Sequence, residues 1–294
     1  MKRIGFIGVG KIGAPMARCV ARAGFELMVC DTSAEARADF AALAARITDR
    51  AGDCADQDMI IVMVTNDEQV QKAMLGDDGI LPNVDPEQAP AVAIMSTVMP
   101  QTIQSISAAC ASKNVALIDA PVSGQRVLAE QGKLSIMVGG TQADLESMRP
   151  VLEAMGDKIY HTGALGSGQV TKLINNMLGL TNLFLTVEAM QVGLAYGMDL
   201  AILANVLEAS SGRNFSTQDW ERSKATLTFL TENSERIRGA LDLARKDLAH
   251  AQELSSKAGV TCPLFEQSVP AFHAFSYDEI EERWREVAGG EARM

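Results

Sequence analysis

The sequence predicts an α/β protein in two parts. A doubly wound, mostly parallel sheet domain is expected over residues 1–163, and an all-helical domain over residues 164–294, joined to it by a long helix. Three observations predict this. At 294 residues the chain has the length of about two ordinary domains. Its first half alternates short β-like runs with helical stretches, the rhythm of a parallel sheet covered by helices on both faces. That rhythm stops at Gly163-Ala164-Leu165-Gly166-Ser167-Gly168, and no strand-like alternation returns beyond it.

The strand candidates are Arg3–Ile7, Glu26–Cys30, Met59–Val64, Ala91–Ser96, Ala116–Asp119 and Leu134–Val138. Helical stretches lie between them at Pro15–Ala23, Ala34–Arg46 and Thr102–Ser112. Thr32 with Glu35 three residues on reads as a capping box that starts a helix directly after the second strand. From Gln169 to about Tyr196 there is no proline, and apolar residues recur at nearly every helical angle. A helix apolar all round is expected to be buried on all sides, within its domain or against a partner subunit. A homodimer or homotetramer is therefore expected. Leu200–Ser210, Arg236–Ser256 and Phe265–Phe275 continue in helical vein.

Composition excludes several classes of function. Twenty-six Lys plus Arg stand against 37 Asp plus Glu, a formal charge of −11, which disfavours a nucleic-acid backbone or an anionic membrane as partner. No uninterrupted apolar run approaches 18 residues, so no membrane span is expected. The apolar run after Met1-Lys2-Arg3 stops at Lys11 without a small-residue cleavage site, so it is not expected to be a leader. Five cysteines, an odd count with no CxxC pair, read as reduced thiols and a cytoplasmic location. The three histidines are scattered, and no metal is proposed.

Gly8-Val9-Gly10-Lys11-Ile12-Gly13 follows a strand candidate and opens a helix. In such a loop the glycines give a tight turn, close approach to a pyrophosphate and close helix–strand packing, which is the phosphate loop of a Rossmann-type domain. The helix start then offers its unpaired N–H groups to the phosphates. Asp31 stands at the end of the second strand, where a carboxylate accepts hydrogen bonds from a ribose and repels a 2′-phosphate. Neither Thr32 nor Ser33 is basic, so NAD is expected rather than NADP. The plain alternative is a glycine turn with Asp31 as a spare cap.

Lys172 and Asn176, four residues apart, fall on nearly one helical face. A partly desolvated lysine near a nicotinamide cation would titrate below its ordinary value of about 10.4 and so could exchange protons with substrate. A polar patch at the start of a buried helix accounts for the same spacing. Asp119-Ala120-Pro121-Val122-Ser123-Gly124 and Ser96-Thr97-Val98-Met99-Pro100 both leave strands at the carboxyl edge, where ligands of such sheets bind. Ordinary loop turning explains them equally well.

Taken together, these segments resemble the β-hydroxyacid dehydrogenases. The matching stretches are Gly5 to Gly10 with Pro15-Met16-Ala17, Ser96-Thr97-Val98, Asp119 to Gly124, Gly163 to Asn176, and Lys246-Asp247-Leu248, in the family's order over most of the chain. The resemblance implies that Lys172 is the catalytic lysine and that Asn176 orients the substrate. It implies that Ser123 and Gly124 bind the substrate carboxylate, and that Thr97, Met63 and Val64 touch the cofactor. Lys246 would close over the cofactor with Asp247 beside it, while Ser211, Gly212 and Phe215 would border the substrate pocket. The expected reaction interconverts a small-molecule hydroxyacid and its semialdehyde with NAD.

Two departures put the substrate in question. Gln125 stands where the family usually has a second glycine, and Leu128 where another glycine is expected, so both are expected to narrow or repolarise the pocket. Arg126 either meets a second anionic group on the substrate or lies at the surface, and the surface is favoured because most arginines are solvated. The alternatives are a reductase of the same fold acting on an imine or a dianionic aldehyde, or a non-catalytic NAD-binding protein.

Overall fold

The computed structural model describes residues 2–290. Among them nine strands form one sheet: β1 (Arg3–Ile7), β2 (Glu26–Cys30), β3 (Arg46–Thr48), β4 (Met59–Val62), β5 (Ala91–Ile94), β6 (Ala116–Asp119), β7 (Val122–Ser123), β8 (Ser135–Gly139) and β9 (Lys158–Gly163). The first six are parallel, in the order β3-β2-β1-β4-β5-β6. This is the Rossmann order, which reverses direction between β1 and β4 and leaves a ligand crevice at their carboxyl ends. β8 runs antiparallel to β6 and β7, and β9 pairs with its other edge. Pro121 has no N–H to give and separates β6 from β7, but its carbonyl still accepts from Met137 N at 3.0 Å.

The parallel strands are apolar on both faces because helices cover both. Ile4, Phe6, Met59 and Ile61 enter one core layer, and Ile7, Ile60 and Val62 enter the other. The covering helices are α1 (Gly13–Arg22), α2 (Ala34–Ala38), α3 (Asp67–Leu75), α4 (Ile80–Asn83), α5 (Pro100–Ser112), α6 (Gln125–Glu130) and α7 (Gln142–Leu152).

Two local expectations are corrected. Ser33, not Thr32, caps α2, because Asp31 takes the Ser33 amide (2.8 Å) and advances the turn by one residue. The helix expected through Arg46 ends at Ala38, since Arg46–Thr48 pairs with β2 as an edge strand. Tertiary pairing outweighs the helix preference of an alanine-rich run.

The remaining helices are α8 (Ser167–Ala195), α9 (Leu200–Glu208), α10 (Trp220–Thr231), α11 (Ser234–Lys257), α12 (Pro263–Ala274) and α13 (Tyr277–Gly289). The chain divides into two compact units between Lys172 and Leu173, inside α8 rather than before it. In the helical unit, Val187, Met190, Trp220, Leu241 and Trp284 share one core, with the Phe184 ring 5.7 Å from that of Trp284. α8 is not buried on all sides. Ile174, Leu178, Leu185 and Val192 are half or more exposed, and the last three recur every seventh residue. By length and mean hydropathy (1.3 over its most apolar window), α8 is long and apolar enough to cross a membrane.

Candidate active site

The loop from Gly8 to Gly13 leaves β1 at the crevice. Gly8 has φ +90°, and a Cβ there would lie 2.3 Å from the Met63 carbonyl oxygen. At Gly13 a Cβ would strike the Gly8 carbonyl at 2.0 Å. The chain's own packing therefore demands both glycines. Gly10 differs: its φ is not positive, and a Cβ added there meets nothing within 4 Å. The space in front of Gly10 is open. α1 begins beside this space with no side chain capping its amides. Open room and uncapped amides together fit a pyrophosphate.

Asp31 holds the loop from just beyond the end of β2. Its Oδ2 accepts from Val9 N and its Oδ1 from Ser33 N, both at 2.8 Å. A carboxylate has about four acceptor positions, so Asp31 retains capacity for ribose hydroxyls. Val9 is buried, Lys11 is exposed and Ile12 is half-buried, so the loop's middle faces outward. Met63 and Val64 follow β4 and pack directly against Gly8. Val64 N donates to Ser96 Oγ (2.8 Å), which brings the exits of β4 and β5 together beside half-buried Thr97.

The next carboxyl-edge loop carries Ser123 and Gly124. Gly124 has φ +143°, and a Cβ there would press on Leu128 and Leu134 at 3.0 Å. Leu128 thus packs over Gly124 and against the domain core. Gln125 is held at φ +58°, a conformation that costs a residue with a side chain about 1–2 kcal/mol. Arg126 lies at the surface, ion-paired with Glu130 at 2.7 Å.

α8 is fastened to this edge at its first turn. Asp119, wholly buried at the end of β6, accepts Gly166 N through Oδ1 (2.6 Å) and Gln169 N through Oδ2 (2.7 Å). Burial pushes its carboxyl up to about 6, against the lowering effect of those N–H groups. Gln169, also wholly buried, uses its carboxamide on the β5 exit, accepting from Val98 N (3.0 Å) and donating to Ser96 O (2.9 Å). Buried Lys172 follows on the next turn.

In the helical unit, Asn176 Nδ2 donates to Asp247 Oδ2 on α11 at 2.7 Å. Lys246 Nζ stands 3.2 Å from Asp247 Oδ1. Asp247 thus orients the Asn176 carboxamide and neutralises a lysine. Phe215 is half-exposed, with the Arg222 guanidinium 4.6 Å above its ring. The parts played by Asp119, Gln169 and Asp247 escape a reading of spacing. One local signal exists: Gly168 is obligatory because a Cβ there would come within 2.7 Å of Asp119 Oδ2.

A loop of this construction on a sheet of this order makes the chain a dinucleotide-binding protein of the dehydrogenase class. Residues 3–163 match the family model described as the NAD binding domain of 6-phosphogluconate dehydrogenase. Residues 166–282 match the family model described as NAD-binding of NADP-dependent 3-hydroxyisobutyrate dehydrogenase. An NAD-dependent L-serine dehydrogenase of Pseudomonas aeruginosa is 35% identical over 266 residues, 90% of this chain and 89% of its own. A 3-hydroxyisobutyrate dehydrogenase of the same organism is 38% identical over 217 residues, 74% of this chain and 72% of its own. Among solved structures, the 3-hydroxyisobutyrate dehydrogenase of Mycobacterium tuberculosis with L-serine superposes at a TM-score of 0.81, with 27% identity and 98% of each chain covered. The chain belongs to the 3-hydroxyisobutyrate dehydrogenase family, and it is an NAD-binding dehydrogenase of β-hydroxyacids.

Proposed function

We propose that the chain oxidises a short monoanionic β-hydroxyacid of the serine and 3-hydroxyisobutyrate kind to its semialdehyde, or runs the reverse, with NAD in preference to NADP. One observation carries the reading: Lys172 is held one turn into a helix whose start is tied to the ligand edge of the dinucleotide-binding sheet. When bound, NAD supplies the acceptor for hydride from the substrate's hydroxyl carbon. Lys172 Nζ takes the hydroxyl proton in oxidation and returns it in reduction. Asn176 orients the hydroxyl, while the Ser123 hydroxyl and the Gly124 backbone hold the carboxylate. Gln125 and Phe215 shape the substrate's side-group space, and Lys246 closes on the cofactor. Asp31 disfavours a 2′-phosphate by charge. Arg126, ion-paired with Glu130 at the surface, is left out of the substrate site.

The exposed apolar stripe of α8 packs against a second copy of the chain, giving a homodimer or homotetramer. Lipid is a poor occupant, because the same helix carries Lys172, Asn175 and Asn176. Nucleic acid and anionic membrane surfaces are not partners for a chain of charge −11, and its location is cytoplasmic.

The test is reduction of NAD and NADP on a panel of hydroxyacids: serine, 3-hydroxyisobutyrate, glycerate, 4-hydroxybutyrate and a dicarboxylic hydroxyacid, with Lys172→Ala as control. Lysine-dependent turnover of the monoanions with NAD is expected. Wild-type turnover by Lys172→Ala, or a preference for the dianion, would overturn the reading.

A further inference from the structure

Thr97 lies beyond the end of β5, where no strand pairs with the backbone. Its two flanking peptides are nevertheless bonded from one side by one side chain. The Gln169 carboxamide receives Val98 N–H and gives its own N–H to Ser96 C=O. A neighbouring strand would offer the same donor–acceptor pair across a ladder. Further bonds hold the loop at either end, Val64 N to Ser96 Oγ and Met99 N to Asp67 Oδ1, both 2.8 Å. Gln169 is held in turn by Asp119 through its backbone amide. Three residues on, roughly one turn along the same side of the helix, stands Lys172.

We propose that Gln169 is a positioning residue for the dehydrogenase reaction: its two-point grip sets the Thr97 loop and the Lys172 turn at one fixed spacing. The inference rests on the reading of Lys172 as the proton-transferring group. An apolar residue would fill the same buried volume. Volume alone does not fix direction, whereas a fully bonded buried carboxamide selects a single arrangement. Proton transfer works over hydrogen-bond distances, so a displaced loop or helix turn is felt in turnover before it is felt in binding.

The experiment compares the full chain with Gln169→Leu, Gln169→Glu and Lys172→Ala. It reads melting temperature, NADH affinity by fluorescence, and kcat and KM in the direction of aldehyde reduction across pH. Gln169→Leu is expected to keep NADH affinity within about threefold and lose about 100-fold in kcat at saturating substrates. Gln169→Glu matches glutamine in shape only when protonated, its O–H then replacing the N–H given to Ser96. Its kcat is expected to rise as pH falls, through an ionisation that the parent lacks. This recovery keeps the inference testable where Gln169→Leu fails to fold, and a purely space-filling role would not produce it. Parent kcat in a folded Gln169→Leu with Lys172→Ala silent, or a Gln169→Glu profile that merely parallels the parent's, would overturn the inference alone. Parent turnover by Lys172→Ala would overturn the reading beneath it.

Discussion

Asn176 gives a side-chain N–H to Asp247 Oδ2 at 2.7 Å, in a pair that is buried on both sides. The bond decides which way the carboxamide faces. Its nitrogen is committed to α11, and its oxygen, which also accepts from Asn175 Nδ2 at 3.2 Å, is the end presented as an acceptor. Asn176→Asp replaces that donor with a second carboxylate, and like charges at this distance resist ionisation together. Its kcat is expected to fall about 100-fold at pH 8 and to recover in part toward pH 6, where one proton is shared. A pH series of kcat for this variant checks it.

Asp119 makes stability depend on pH in the sense opposite to most carboxylates. Its native carboxyl titrates near 6 against an ordinary 3.8. The folded state therefore holds a proton that the unfolded chain has lost between those values. The contribution is fully present below pH 3.8 and is lost as pH rises through about 6, about 3 kcal/mol in all. Asp119→Asn is expected to be less stable by about 1–3 kcal/mol at neutral pH, since its amide opposes one of the two N–H groups, and to lack this slope. Urea denaturation of both proteins at pH 4 and pH 7 reads the difference.

Asp31 holds the glycine loop, and in the proposed reading it also meets the cofactor's ribose. Asp31→Asn keeps one acceptor for Val9 or Ser33 and removes the charge. The ratio of kcat/KM for NAD over NADP is expected to drop by about tenfold or more, equivalent to about 1.4 kcal/mol. Parallel kinetics with the two cofactors measure it.

Two neighbouring glycines separate packing from binding. Gly8→Ala meets Met63 O at 2.3 Å with φ +90°, and is expected to cost about 2 kcal/mol or more of stability. Gly10→Ala meets nothing, and is expected to change stability by less than about 0.5 kcal/mol while weakening NADH at least about tenfold. Denaturation curves together with fluorescence titrations distinguish the two.

The stripe Leu178, Leu185 and Val192 gives the last prediction. Leu185→Glu puts a charge into the surface proposed to pair with a second copy, where it would be buried unpaired. Sedimentation at micromolar concentration is expected to show an oligomer for the parent and a monomer for the variant. A monomeric parent would refute the pairing.

Three of the strand expectations match the structure residue for residue, whereas Met59–Val64 and Ala91–Ser96 stop two residues early, at Val62 and Ile94, and Leu134–Val138 is displaced by one, to Ser135–Gly139. Arg3–Ile7, Glu26–Cys30 and Ala116–Asp119 are strands with those ends, because each apolar run is bounded by its own breakers. β3, β7 and β9 carry no such signal: they are short or exposed segments, defined by pairing with β2 and β8 rather than by alternation. α10 and α13 were missed, although Ser276 and Glu279 form a capping box that announces the second of them.

The sequence by itself determined the sheet-then-helices plan, the glycine loop with Asp31 after it, and the placing of Lys172 and Asn176 on one helix. All of these follow from spacings within a few turns or a single strand–helix unit. The tertiary structure alone decided what holds those residues in place. Asp119 and Gln169 are 50 positions apart, Ser96 and Gln169 73, and Asn176 and Asp247 71. No periodicity links such pairs, because a buried polar group takes whichever partner the packing brings to it. It also left one face of α8 uncovered by the chain itself, where composition allows cover from the domain or from a partner subunit: apolar character says that a face seeks cover, and only the fold shows which cover the chain itself provides.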